Sequence, residues 1–340
     1  PWTPPATSAP VLAVDIASGV SCHDGELFGG AIRAAATVTF ADLKPGLLLG
    51  AGPDHSRRVE VADIGLDVSG RRAGLVVEDD VAEWVPPRSR TAHKWRSGVR
   101  IVAGSPGMSG AGTLVAEAAM RAGAGIVHAS ALGVEGRWPV EVVSRGASVG
   151  RWAAEVLDDA ERFGALVVGP GLGRSAEAAA GLEQLVRECD QPLVVDADGL
   201  SLLDPSTARR RRAPLVLTPH DGEFAALTGS RPAADRFAAA RDLAHDLGAV
   251  VLLKGPTTIV AGPDGFAFAV DEGDERLATA GSGAVISGVI GAYLARGAEA
   301  ARGAAAAEFV HGRAATRLAA DGTVAGDLVG QLGPALESCR

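Results

Sequence analysis

The chain has 340 residues, of which 47% are hydrophobic and 21% charged, and its 45 glycines and 19 prolines stay below the level of low-complexity chains. Wholesale disorder is excluded, and there is length enough for two or three domains. The net charge of −9 repels phosphate backbones, so general nucleic-acid binding has no support and an anionic small ligand would need a local site. Cys22, Cys189 and Cys339 are odd in number, far apart and lack Cys-x-x-Cys spacing, which argues against a disulfide framework or a zinc site and fits a reducing, cytoplasmic setting.

No charged segment followed by an apolar one opens the chain, and it starts at Pro1 rather than Met, so it reads as beginning inside a longer protein. Residues 1–10, with four prolines, are expected to be an extended lead-in. Short strands are predicted at Val11–Ile16, Ala36–Phe40 and Val59–Ile64, a thin core suggesting the end of a domain. The polar stretch 71–89, with Arg71, Arg72, Glu78, Asp79, Asp80, Pro86 and Pro87, is expected to be an interdomain linker.

From Val99 onward, apolar runs alternate with long Ala-rich helical segments, the pattern of β-α-β units around a mainly parallel sheet. Five of these runs end in loops of small or chemically active residues. Val99–Val102 leads into Ala103-Gly104-Ser105, Leu166–Val168 into Gly169-Pro170-Gly171-Leu172-Gly173, and Leu193–Val195 into Asp196-Ala197-Asp198. Leu215–Leu217 leads into Thr218-Pro219-His220, and Val250–Leu253 into Lys254-Gly255. Ligands of open parallel sheets bind beyond the carboxyl ends of the strands, so the five loops are expected to converge. The uncharged stretch Leu277–Ala295 is long enough to span a membrane, but its small, polar first half reads instead as a glycine loop feeding a buried helix.

Gly281-Ser282-Gly283 before that helix offers backbone N–H groups to an anion, with Ser282 as a candidate cap; taken alone, a tight turn and cap is the simpler reading. Lys254 at a strand end could meet a phosphate or simply reach solvent. His220 could face the crevice or serve a structural role, and Glu223 could favour a helix start or hold Mg²⁺ through water. Asp196 and Asp198 divide between helix cap and site carboxylate in a way the sequence leaves open.

Taken together, Gly169–Gly173, Val195–Leu200, Leu217–Phe224, Leu252–Gly255 and Leu277–Gly283 resemble the ADP/ATP-dependent NAD(P)H-hydrate dehydratase family in both order and spacing. His93-Lys94, Ala103–Ser105, Ser109–Ala111 and Gly123–Val127 extend the resemblance over roughly residues 90 to 335. It implies a ribokinase-like α/β fold, its mainly parallel sheet flanked by helices, over 90–338, and repair of hydrated NADH or NADPH with ADP in bacterial members or ATP in eukaryotic ones. It further implies Lys254, Gly255, Pro256, Thr257, Thr258, Gly281, Ser282 and Gly283 at the nucleotide, Ala111, Gly171, Gly173 and His220 at the hydrate, and Glu223 near Mg²⁺ and the phosphates. Assembly as a homo-oligomer is the family tendency.

Residues 1–70 resemble the closing part of an NAD(P)H-hydrate epimerase domain, a partial Rossmann-like α/β fragment. Val14-Asp15-Ile16-Ala17-Ser18-Gly19 carries the likeness, followed by Leu43-Lys44-Pro45-Gly46 and Val61-Ala62-Asp63-Ile64-Gly65. Asp15 would be a substrate contact and Ser18 a K⁺ ligand. The family's phosphate loop has no counterpart here and its signature proline is Ala17, so epimerase activity is not expected from this chain alone.

The dehydratase family reads Gly-Ser-Gly-Asp or Gly-Thr-Gly-Asp where this chain reads Gly281-Ser282-Gly283-Ala284. The aspartate that takes the proton of the attacking hydroxyl is therefore replaced, and losing a general base costs about 10²–10⁴ in rate. Asp271, Asp274 and Asp198 are candidate substitutes. The alternatives to an ADP-dependent dehydratase are a non-catalytic nucleotide-binding relic or scaffold and a small-molecule kinase of the same fold.

Overall fold

The computed structural model describes residue 3 and residues 7–340; the expected lead-in over 1–10 lies partly outside the described residues. The chain divides into two compact units, Pro1–Gly74 with Pro232–Ala239, and Leu75–Arg231 with Ala240–Arg340. The first holds three parallel strands, β1 (Leu12–Val14), β2 (Ala36–Phe40) and β3 (Arg58–Ala62), in that spatial order. Its small core gathers Ala13, Ala17, Val20 and Ala34.

The chain enters the second unit at the end of β4 (Ala73–Leu75). There follow β5 (Gly98–Val102), β6 (Ile126–Ser130), β7 (Val143–Ser144), β8 (Ala165–Val168), β9 (Leu193–Val195) and β10 (Leu215–Leu217). The series closes with β11 (Val250–Leu253), β12 (Thr258–Ala261) and β13 (Ala267–Val270), and the spatial order is β4-β13-β12-β11-β10-β9-β8-β5-β6-β7. From β11 to β7 every pairing is parallel, while β12 and β13 extend β11 as antiparallel neighbours. The central strands are buried along their whole length, as a parallel sheet covered on both faces requires.

The helix Ser282–Ala295 is apolar on every side and buried from Ala284 to Ala295, so it sits in the core rather than on the surface. Gly288 makes this possible: a Cβ there would lie 2.3 Å from the Val115 carbonyl oxygen, inside the neighbouring helix Ser109–Arg121. Among the described residues no helix is long and apolar enough to cross a membrane.

The stretch 71–89 is not simply a linker. It contains β4 and the helix Glu78–Trp84, whose Val81, with Val76 and Val85, is buried in the large core, and Trp84 packs on Phe268 at 4.9 Å between ring centroids. Acidic residues on the outer face hide the apolar spacing of Val81, Trp84 and Val85. Val81→Ala should lower the stability of the large unit by about 1.5–3 kcal/mol in urea denaturation, where a linker residue would change nothing.

Behind β5 and β6 lies a buried polar layer. The Arg100 guanidinium donates to the Ile101 carbonyl (2.8 Å) and to Ser130 Oγ (2.7 Å), and burial lowers its pKa to about 10. His128 is pushed down to about 4, first by burial and then by the Arg145 and Arg100 charges, and its Nδ1 accepts from Arg145 Nε at 3.3 Å. The unfolded chain, where this histidine titrates near 6.5, therefore binds a proton that the folded chain refuses. Stability should fall as pH drops from 6.5 towards 4. In His128→Asn that component of the drop in urea midpoint between pH 7 and pH 5 should disappear.

Candidate functional site

The site is built from Asp196, at the end of β9. Its carboxylate is 1% exposed and accepts three hydrogen bonds, from Thr218 Oγ1 beyond β10 (2.7 Å), Lys254 Nζ beyond β11 (3.0 Å) and Ser287 Oγ in the central helix (2.7 Å). Three strand ends and the helix are thus tied to one carboxylate. Burial lowers the Lys254 pKa, but the charges of Asp196, Glu223 and Glu308 outweigh this and carry it above the ordinary lysine value, so the ammonium stays charged.

The helix start faces this pair. Gly281, in the left-handed region at φ +97°, is the cap residue, and the N–H groups of Gly283 and Ala284 have no acceptor among the described residues. A Cβ on Gly283 would lie 3.3 Å from Lys254 Nζ and 3.9 Å from Asp196 Oδ2, so the glycine keeps the approach to the ammonium open. Free N–H groups at a helix start beside a fixed cation form an anion site. Ser282 does not cap: it is the first helical residue, and its hydroxyl donates to the Leu277 carbonyl at 2.8 Å.

Gly255 and Pro256 form an exposed turn after Lys254, whereas Thr257 and Thr258 are buried with their hydroxyls donated to carboxylates. Thr257 bonds Asp271 at 3.1 Å and Thr258 bonds Glu308 at 2.9 Å. Burial raises the Glu308 pKa, yet hydrogen bonding and charge from His311, with help from Thr258 and Lys254, bring it below the ordinary value. Glu308 escaped the sequence reading; the only signal was a single acid in the alanine-rich helix Ala300–Thr316.

His220 caps the helix Asp221–Thr228. Its Nδ1 accepts from the N–H groups of Gly222 (2.9 Å) and Glu223 (3.2 Å), so in the neutral ring the proton sits on Nε2, and the side chain is 60% exposed. Glu223 accepts from the His220 N–H at 2.9 Å and lies 3.9 Å from Lys254 Nζ, linking the cap to the ammonium. Structural and functional readings of His220 and Glu223 therefore coexist in one geometry.

Beyond β8, a Cβ on Gly171 would lie 3.2 Å from the Ala111 Cβ, and one on Gly173 would lie 3.3 Å from Ser105 Oγ. Asp198 fixes this loop by accepting from the Gly173 N–H (3.0 Å) and from Arg174 Nε (2.9 Å). The candidate substitutes for the aspartate expected at position 284 are thereby committed elsewhere: Asp198 to this loop, Asp271 to Thr257, and Asp274 to Arg276. The carboxylate that does approach Gly283 is Asp196. In the smaller unit Asp15, at φ +70°, is held by Lys44 Nζ at 2.6 Å, which with further hydrogen bonds keeps its pKa below the ordinary range; Ser18 is exposed.

The larger unit has the fold of ribokinase-like α/β proteins. A ribokinase-like superfamily protein from Enterococcus faecalis superposes with a TM-score of 0.67 at 20% identity, over 81% of this chain and 99% of that one. An ADP/ATP-dependent NAD(P)H-hydrate dehydratase from Bacillus subtilis, co-crystallised with ATP and Mg²⁺, gives 0.66 at 25% identity, over 78% and 99%. The family model for NAD(P)H-hydrate dehydratase matches residues 99–336, and the chain belongs to that family. A second model, for the YjeF-related protein N-terminus, matches residues 5–46.

Among curated relatives, the bifunctional NAD(P)H-hydrate repair enzyme Nnr of Mycobacterium leprae is 43% identical over 323 residues, 93% of this chain and 65% of that protein. The Escherichia coli enzyme of the same name is 35% identical, over 92% and 62%. The chain thus spans somewhat less than two thirds of the length of these relatives.

Asp196→Asn should remove the buried charge that faces the Lys254 ammonium at 3.0 Å and destabilise the larger unit by about 3 kcal/mol, measured by urea denaturation at pH 7.

Proposed function

We propose that the chain removes water from the hydrated nicotinamide ring of NADH or NADPH at the expense of ADP, releasing AMP and phosphate. The observation that carries this reading is the charged Lys254 ammonium set against the open N–H groups of Gly283 and Ala284, a cradle for a transferable phosphate. Family membership and the neighbouring Gly171, Gly173, Ala111 and His220 support a hydrate beside it.

In the proposed reaction the hydrate's hydroxyl oxygen attacks the β-phosphorus of ADP, the bond to the bridging oxygen breaks, and AMP departs. The hydroxyl proton passes to a base. The phosphate ester then loses phosphate with the C–O bonding electrons, and loss of a proton from the adjacent carbon restores the ring double bond. Lys254 neutralises charge on the transferred group, and the helix N–H groups orient it.

Among the described residues no group of three or more His, Cys, Asp or Glu could hold a metal by protein ligands alone. Mg²⁺ would therefore ride on the nucleotide phosphates and supply charge neutralisation, with Glu223 as the carboxylate that would hold it through water, in keeping with magnesium's retention of water ligands. Thr257 and Thr258 would act through backbone and position, their hydroxyls being occupied.

Ala284 leaves the attacking hydroxyl without the family's carboxylate, and the Asp196 oxygens are already engaged by Thr218, Lys254 and Ser287. This favours a second reading, a chain that binds nucleotide and hydrate without turning them over. The two separate in an assay of reduced-nicotinamide absorbance regained from hydrated NADH, with ADP or with ATP and Mg²⁺. Ala284→Asp should raise turnover by about 10²–10⁴. Binding of both ligands with no turnover in either protein would favour the second reading, and failure to bind would contradict both.

A further inference from the structure

A second carboxylate is buried beside the turn that carries Lys254. Glu308 lies in the alanine-rich helix Ala300–Thr316, within a stretch buried from Gly303 to Gly312, and is itself only 7% exposed. That helix packs against β11, β12 and β13. An apolar side chain of similar volume would fill such a place at less cost than a charge, so a carboxylate kept there points to a role beyond filling space.

Its partners belong to one turn and one helix. Oε1 accepts from Thr258 Oγ1 at 2.9 Å, and Oε2 lies 3.6 Å from Nδ1 of His311, one turn further along the helix. The chain turns between β11 and β12 from Lys254 to Thr258, with Gly255 and Pro256 exposed at the tip. Each leg of the turn is held at two points. On the first, the Lys254 backbone N–H donates to the Pro219 carbonyl (2.9 Å) and its ammonium to Asp196 (3.0 Å); on the second, Thr257 donates to Asp271 (3.1 Å) and Thr258 to Glu308.

The Thr258 hydroxyl has another acceptor within reach, the Gly255 carbonyl at 3.4 Å. A hydroxyl carries one proton, so the helix and the turn's own backbone compete for it. The shorter, charge-assisted bond to Glu308 prevails and draws the hydroxyl towards the helix. Without Glu308 the hydroxyl would close on Gly255, the residue next to Lys254.

We propose that Glu308 is a positioning residue of the nucleotide site: through Thr258 it fixes the shape of the turn 254–258, and with it the place at which Lys254 presents its ammonium to a phosphate. The proposal rests on the functional reading above and adds to it a residue that acts without touching the nucleotide.

The test is calorimetric titration with ADP and with adenosine, which lacks the phosphates. Glu308→Ala and Thr258→Val should each weaken ADP binding about tenfold and leave adenosine binding as it was. The double variant should bind no more weakly than either single one, because all three lack the same bond. Glu308→Gln, which keeps an acceptor for Thr258, should recover most of the loss. A residue that served stability alone would lower the urea midpoint without separating ADP from adenosine. Should Glu308→Ala fail to fold, Thr258→Val carries the same expectation. Undiminished ADP affinity in the single variants, equal weakening of ADP and adenosine, or losses that add in the double variant would overturn the positioning role alone. No binding of ADP by the unaltered chain would overturn the functional reading together with it.

Discussion

The ion pair between Asp196 and Lys254 is the constraint on which the rest of the site depends. A lysine this enclosed would shed its proton without a partner, and a carboxylate this buried would be costly without donors. Together, with Thr218 and Ser287 completing the carboxylate's hydrogen bonds, they hold a permanent positive charge at the mouth of a parallel sheet. The same carboxylate ties the ends of β9, β10 and β11 to the central helix, so the geometry of the proposed anion site also fixes the elements around it.

That arrangement explains why alanine at position 284 is tolerated structurally. The helix start needs the left-handed Gly281, the open Gly283 and two unpaired N–H groups, none of which depends on the next side chain. Ala284 is itself buried in the first turn. In the proposed reaction anion recognition and proton transfer are separable: the backbone and Lys254 would supply the first, and a single side chain the second.

Much of this was legible in the sequence. Strands such as Leu193–Val195 and Leu215–Leu217 are short apolar runs stopped by chemically distinctive residues, and the convergence of their loops follows from parallel-sheet topology. The hairpin of β12 and β13 went unread although Pro263-Asp264-Gly265 between its strands is a turn signal. The helix Glu78–Trp84 was masked by its acidic face. The roles of Asp196, Ser287 and Glu308 could not be read because partners 22 to 91 residues apart meet only through the fold. Ser282 misled for a local reason: a serine beside a helix start usually caps it, but here glycine holds the cap position and the hydroxyl turns back to Leu277.

The most direct test of the phosphate cradle is calorimetric titration of the unaltered chain with ADP and, separately, with adenosine. If Lys254 and the helix N–H groups carry the recognition, ADP should bind at least about a hundredfold more tightly than adenosine, and its affinity should weaken as salt is raised. Equal binding of the two, or no binding of ADP, would contradict the account.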